Sequence, residues 1–215
     1  MVVQEIWRYP VKSMGGERLD EAILGPLGIE GDRVVHVENA NGRVVTARTH
    51  RRLLEHRAVL GADGEPLVDG RLWSGGDVAA TVETIAGTGA RLVRGDSAAR
   101  FDILPLLVAT DGAIQAFGFD GRRLRPNIVI GGVAGLDERG WEGKYLRIGE
   151  VVIALVDLRG RCVMTTVDPD TAEPNPQVLK SIVQRFGGTL ALNASVVHGG
   201  RLRQGDSVTL LASPP

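Results

Sequence analysis

The chain is poor in cysteine, in lysine and in aromatic residues, and each shortage excludes something. One cysteine, Cys162, cannot close an intramolecular disulfide, and no C-x-x-C pair exists to make a redox or zinc motif. Lysine stands only at positions 12, 144 and 180, so arginine carries nearly all of the positive charge. With 25 Lys plus Arg against 26 Asp plus Glu the formal net charge is -1, which leaves no global field to attract nucleic acid or an anionic membrane. Any anion site has to be local. No run of about twenty apolar residues is present to span a bilayer. The opening "MVVQEIWRYPVK" lacks the apolar core of a signal peptide, so a reducing cytoplasm is the expected compartment. Four scattered histidines and the lack of H-E-x-x-H, G-x-S-x-G, G-x-G-x-x-G or a P-loop exclude the commonest hydrolase and nucleotide fingerprints.

What is abundant is the short β-branched run closed by glycine, so the fold class expected is mainly β with few short helices. "DRVVHVENANGRVVTAR" reads as two strands about Asn41-Gly42, a dipeptide that accepts the positive φ of a tight turn. "YLRIGEVVIALVDLRG" predicts a second pair turning at Gly149-Glu150. "TLALNASVVHGGRLRQGDSVTLLA" predicts a third set turning at His198-Gly199-Gly200 and at Gly205-Asp206. One helix is well signalled in "NPQVLKSIVQRFGG". Asn175 caps it, Pro176 opens it and Gly187 ends it, with Val178, Leu179, Ile182, Val183 and Phe186 on one face. A shorter helix is expected in "TDGAIQAFG", with Thr110 or Asp111 at its N-cap, and a domain boundary in the glycine-rich stretch around 86 to 96.

Three stretches carry candidate chemistry. In "RGRCVMTTVDPDT" the flanking Arg159 and Arg161 favour the thiolate of Cys162, the form that binds soft metals or attacks electrophiles. The plain alternative is a small buried hydrophobe. In "YPVKSMGG", Lys12 and Ser13 before two glycines offer a charge, a hydroxyl and approachable amides, which suits phosphate. Arg33 in "GIEGDRVV" and Arg48 in "VVTART" add cations, and in "RRLRPNIVI" Arg125 and Asn127 can read a heterocycle edge. Each of these is also at home on a solvated surface or at a strand start.

In this order, "IWRYPVKSMGG", "GIEGDRVVHVENANGRVVTAR", "RRLRPNIVIGG", "WEGKYLRIGEVVIALVDLRGRC" and "CVMTTVDPDT" resemble the MOSC-domain family, the molybdenum-cofactor sulfurase C-terminal domains, and within it the amidoxime-reducing components and their bacterial relatives. The resemblance implies a smaller N-terminal β domain over 1–88 and a β-barrel MOSC domain over 89–215. It implies the molybdenum cofactor (Mo-molybdopterin), with Cys162 as the metal's protein ligand. Lys12, Ser13 and Arg33 would then lie at the phosphate end, and Arg48, Thr110, Asp111, Arg125 and Asn127 around the pterin. Asp168 is the candidate for orientation or proton delivery, a turn residue being the alternative.

The implied activity is a molybdenum-dependent oxidoreductase that reduces N-hydroxylated compounds such as amidoximes or hydroxylamines. Its electrons would come from a separate donor protein of ferredoxin, flavin-reductase or cytochrome b5 type. The alternative is a cofactor-binding or sulfur-carrying module without turnover of its own. No nucleic-acid or membrane partner is expected. The sequence departs from the pattern at "ATDGAIQAFG", where reductase relatives often carry a serine-rich run, and the membrane-anchoring segment of animal members is not expected here.

Overall fold

A computed structural model describes residues 1–95 and 97–215. Its first half runs as β1 (Val2–Arg8), β2 (Glu17–Leu19), β3 (Glu21–Gly25), β4 (Gly28–Ile29), β5 (Val35–Glu38), β6 (Val44–Val45), β7 (Ala58–Leu60), β8 (Pro66–Val68), β9 (Arg71–Leu72), helix α1 (Gly76–Ala86) and β10 (Arg91–Arg94). The second half runs as β11 (Leu106–Thr110), helix α2 (Asp111–Phe117), β12 (Ile128–Gly131), β13 (Tyr145–Ile148), β14 (Val151–Gly160), helix α3 (Pro176–Phe186), β15 (Thr189–His198), β16 (Gly200–Arg203) and β17 (Thr209–Leu211). The expected mainly β class is what the chain adopts.

An eight-stranded sheet in the order β17-β13-β14-β15-β11-β12-β1-β2 organises the molecule, and three small sheets surround it. Its pairs are antiparallel except β11 with β12. β1 and β2, from the first twenty residues, therefore form one edge of the sheet built mostly by the second half. The buried faces of β1, β12, β13, β14 and β15 supply Ile6, Ile128, Leu146, Ile153 and Leu192 to one apolar core. A second core, holding Val11, Met14, Val35, Leu53 and Val82, lies under the small sheets and α1. The site described below is reached from both.

Local signals act as expected at the hairpins. β5 and β6 turn through Gly42 at φ +71°, and the Asn39 side chain accepts the amides of Asn41 and Arg43 at 3.0 Å each. β13 and β14 turn at Gly149, φ +59°. The third set differs from expectation: β15, β16 and β17 do not pair with one another. β16 pairs with β3, and β17 with β13. The reason lies at Gly199, where a Cβ would stand 2.4 Å from the Leu24 carbonyl oxygen, a backbone approach that steers the chain off the main sheet.

α3 carries its predicted caps. Asn175 accepts the Gln177 amide at 3.1 Å, and Gly187 ends the helix in the left-handed region. Val178, Ile182 and Phe186 are buried against Phe117 and Leu190. Val183, placed on that face by its spacing, is instead 56% exposed, because it sits on the far edge of a stripe that is only one residue wide per turn. α1 had no sequence signal. Its N-cap is Gly75 with no side-chain cap, and its interior is rich in β-branched residues. Burial of Val78 and Val82 holds it. No helix among the described residues is long and apolar enough to cross a membrane.

Candidate active site

The turn after β1 and the end of β14 meet at a cavity of about 90 Å³. Among the described residues seven lysine and arginine side chains line it, against the single carboxylate of Asp102. Cys162 opens into it, two residues beyond β14 and just before a short 3-10 turn over Val163–Thr166. That turn uses the Cys162 carbonyl, which accepts from the Thr165 amide at 3.0 Å and its hydroxyl at 2.8 Å. The backbone is thereby fixed and the partly exposed sulfur is left to the cavity. Arg48, Arg159 and Arg161 stand close enough for their charges to act on that sulfur.

Lys12 is held by its amide on the Val35 carbonyl at 2.8 Å, and its ammonium donates to the Arg100 carbonyl at 2.8 Å and to Asp102 at 2.6 Å. Burial lowers its pKa, opposed by Asp102. Ser13 follows at φ +70°, Arg33 at +53° and Arg125 at +55°. Left-handed conformations cost non-glycine residues free energy, so three of them on one cavity mark a backbone bent to aim side chains. Arg33 is steadied by Asp32, which is fully buried, and its guanidinium lies 5.1 Å from the Tyr9 ring centroid. Asn127 is also fully buried. Its amide donates to Asp32 at 3.2 Å and the Trp7 carbonyl at 3.3 Å, and its oxygen accepts from the Leu107 amide at 3.2 Å. Asn127 thus lines the cavity but has its donors engaged in holding Asp32 under Arg33.

Arg125 and Arg161 differ from the other cations. Among the described residues no carboxylate makes an ion pair with either. Arg125 stacks on Tyr9 at 4.2 Å, and Arg161 donates to the Leu124 carbonyl at 2.7 Å while its buried Nε has no partner. Burial pushes both guanidinium pKa values down to about 10. A charge taken from water without a counter-charge is costly unless something anionic completes the site.

Of the residues expected at the site, Lys12, Ser13, Arg33, Arg48, Arg125, Asn127 and Cys162 are gathered here, and Thr110, Asp111 and Asp168 are not. Thr110 caps α2 by accepting the Ala113 amide at 3.1 Å and donates to Glu138 at 3.3 Å. Asp111 accepts the amides of Gly112, Gly132 and Val133 at 2.8, 2.7 and 3.0 Å. Asp168 accepts the Asp170 and Thr171 amides at 3.0 and 3.1 Å and pairs with Arg123 at 2.7 Å, which does reach the cavity. Sequence reasoning did not find Asp102, a lone acid in "RFDILPLL", or Asn193, which accepts from Arg159 at 3.1 Å. Neither carries a local signal. A larger cavity of about 320 Å³ shares Arg123, Arg125 and Met164 with the first and adds Trp7, Tyr9 and His56.

Two family models match the chain. One described as the MOSC N-terminal beta barrel domain matches residues 1–89, and one described as the MOSC domain matches residues 109–209. The mitochondrial amidoxime-reducing component 1 of Mus musculus is 27% identical over 97% of this chain and 82% of its own length. The mitochondrial amidoxime reducing component 2 of Macaca fascicularis is 26% identical over 96% of this chain and 82% of its own. Among solved structures, the YUAD protein from Bacillus subtilis superposes with a TM-score of 0.54 at 12% identity, covering 97% of this chain and 94% of that one, a likeness of fold. With the N-terminal and MOSC models together spanning most of its length, this chain belongs to the MOSC-domain family.

Proposed function

We propose that this chain binds a molybdenum-pterin cofactor through Cys162 and reduces N-hydroxylated compounds, using electrons from a separate redox protein of ferredoxin, flavin-reductase or cytochrome b5 type. The observation that carries the reading is the single thiol opening into a cavity whose cations, among the described residues, outnumber its acids seven to one. Among the described residues no three His, Cys, Asp or Glu side chains gather to hold a metal ion. A metal at Cys162 therefore has to bring most of its ligands with it, as a metal already chelated by an organic dithiolene does. The residues fit such a group: a soft sulfur at one end, and guanidinium and ammonium groups lacking full compensation for an anionic remainder. When bound, it supplies two-electron redox chemistry at the metal.

In this reading Cys162 holds the metal, and Lys12, Ser13 and Arg33 take the terminal phosphate by charge-assisted hydrogen bonds. Arg48, Arg125, Arg159 and Arg161 surround the rest, with Asn127 and Asp32 fixing Arg33 and Asp168 fixing Arg123. Residues 1–88 and 89–215 act as two units that each supply part of this grip. The larger neighbouring cavity gives a substrate an approach past Met164. The names of the relatives, which speak of amidoxime reduction, support the choice of substrate class. A cytoplasmic setting suits a thiol that must stay reduced.

The test is metal analysis by mass spectrometry with pterin fluorescence on protein from a molybdenum-replete host, followed by benzamidoxime reduction with an artificial donor. Near-stoichiometric metal and pterin with turnover support the reading. Loading without turnover favours a cofactor carrier, and no loading at all removes both.

A further inference from the structure

Asp102 has no place in the reading above, yet with Lys12, Arg48 and Arg159 it forms the most highly charged contact in the cavity. One oxygen of Asp102 accepts from Lys12 Nζ at 2.6 Å and the other from an Arg48 Nη at 2.6 Å, while Arg159 stands 3.8 Å away. These cations come from three different parts of the chain: the turn after β1, the turn after β6, and β14. The carboxylate belongs to a fourth, the strap over 97–104, which also places Phe101, Ile103 and Leu104 along the cavity. Lys12 fastens the strap a second time through the Arg100 carbonyl at 2.8 Å. Phe101 is buried and Arg100 donates to the Leu27 carbonyl at 3.2 Å, which anchor the near part of the strap, whereas Ile103 beyond Asp102 is 55% exposed and little apolar burial holds that end.

Three cations share one negative charge. The space they leave is about 90 Å³, below the roughly 300 Å³ at which small-molecule sites begin. A ligand of ordinary size enters only if the strap moves, and the strap is tied down by the carboxylate that such a ligand would replace. A tetrahedral dianion offers these cations twice the charge of Asp102 and more acceptor oxygens. A monocarboxylate only exchanges like for like, against a rival tethered at high effective concentration.

We propose that Asp102 is a built-in counter-anion that occupies an oxyanion subsite of Lys12, Arg48 and Arg159 and makes it selective for dianionic oxyanions over monocarboxylates. Displacing it releases the strap. The subsite adjoins Cys162 and rests on the reading of this cavity as an anion site, but it makes no use of the metal.

The experiment uses the full-length, metal-free chain at pH 8, titrated calorimetrically with inorganic phosphate and with acetate. The parent is expected to bind phosphate and not acetate. Asp102→Asn is expected to bind phosphate about tenfold tighter or more, and to bind acetate measurably, because the tethered competitor is gone. Equal or weaker phosphate binding by the variant would mean that Asp102 organises the cations and does not compete for them, and it overturns the proposal. Hydrogen exchange on the parent decides the matter even if the variant folds poorly. Saturating phosphate should raise exchange in 97–104, and unchanged or lowered exchange there overturns the proposal. Metal and pterin content of the parent, measured separately, judges the cofactor reading. A gain in Asp102→Asn without cofactor in the parent leaves the subsite standing alone, and a loaded parent without that gain leaves the cofactor reading standing alone.

Discussion

Two polar corners of the molecule look alike in sequence and differ in structure. At the start of α2, Thr110 and Asp111 have their side-chain oxygens engaged, Asp111 with three backbone amides and Thr110 with one amide and Glu138. In the thiol cavity, among the described residues, Arg125 and Arg161 have no carboxylate partner, and the buried Nε of Arg161 has no partner at all. In the first corner the oxygens of Thr110 and Asp111 close a chain reversal, and the one buried atom left without a partner is an oxygen of Glu138, whose pKa burial raises. The second is left incomplete by the protein, at a cost in stability that only a bound anion offsets. A polar residue whose capacity is consumed by the backbone is architectural, and one that is buried with capacity left over is available to a ligand.

The comparison can be broken at four points. The largest effect is expected from Cys162→Ala, which should reduce bound molybdenum from near-stoichiometric to a trace by mass spectrometry while the fold persists. Metal retained at the parent level would show that the thiol is not its ligand. Next, Arg125→Met should cut cofactor retention about tenfold or more on gel filtration and yet change unfolding free energy by less than about 1 kcal/mol, since the charge it removes has no carboxylate partner among the described residues. A loss of several kcal/mol would mean that Arg125 is structural.

The mirror image is Asp111→Ala, expected to lower urea-unfolding stability by about 3 kcal/mol, from the loss of charge-assisted bonds to three amides. Cofactor content per folded molecule should not change, and if it falls the two corners are not separate. This carboxyl also has a pH signature. Burial raises its pKa, but the amides of Gly132, Val133 and Gly112 win and hold it below the usual range. Its folded value is therefore the depressed one. The stability it confers, read as parent minus Asp111→Asn, should be fully present above about pH 4 and shrink as pH falls through the folded value. A difference that grew on acidification would contradict the sign. The smallest effect belongs to Asn175→Ala, about 1 kcal/mol from the lost cap of α3, with the cavity untouched.

The sequence revealed most where the cause is local. Asn41-Gly42 marks a turn because few other pairs accept its dihedral angles, and Asn175, Pro176 and Gly187 mark a helix because capping chemistry acts over three or four residues. Cys162 between arginines was legible for the same reason. Val183 was misplaced because a helical stripe has an edge that spacing cannot locate. α1 escaped notice because its stability comes from packing, with no cap to announce it. Thr110 and Asp111, expected near the pterin, engage amides as far along the chain as Gly132 and Val133, a distance no local pattern spans.

From the sequence alone came the mainly β class, the turns, the capped helix, the impossibility of an intramolecular disulfide and the choice of one thiol and a handful of cations as the candidate site. Those follow from dihedral preference, capping and composition, which each residue carries with it. Only the tertiary structure decided that β16 and β17 part company after Gly199, that Asn127 holds a buried aspartate under Arg33, and that Asp102 reaches Lys12, Arg48 and Arg159 from three other segments. Which charges are compensated and which are left for a ligand is a sum over residues about 50 to 95 positions apart, such as Arg48 and Asp102 or Asp32 and Asn127, and such a sum exists only once the chain has folded.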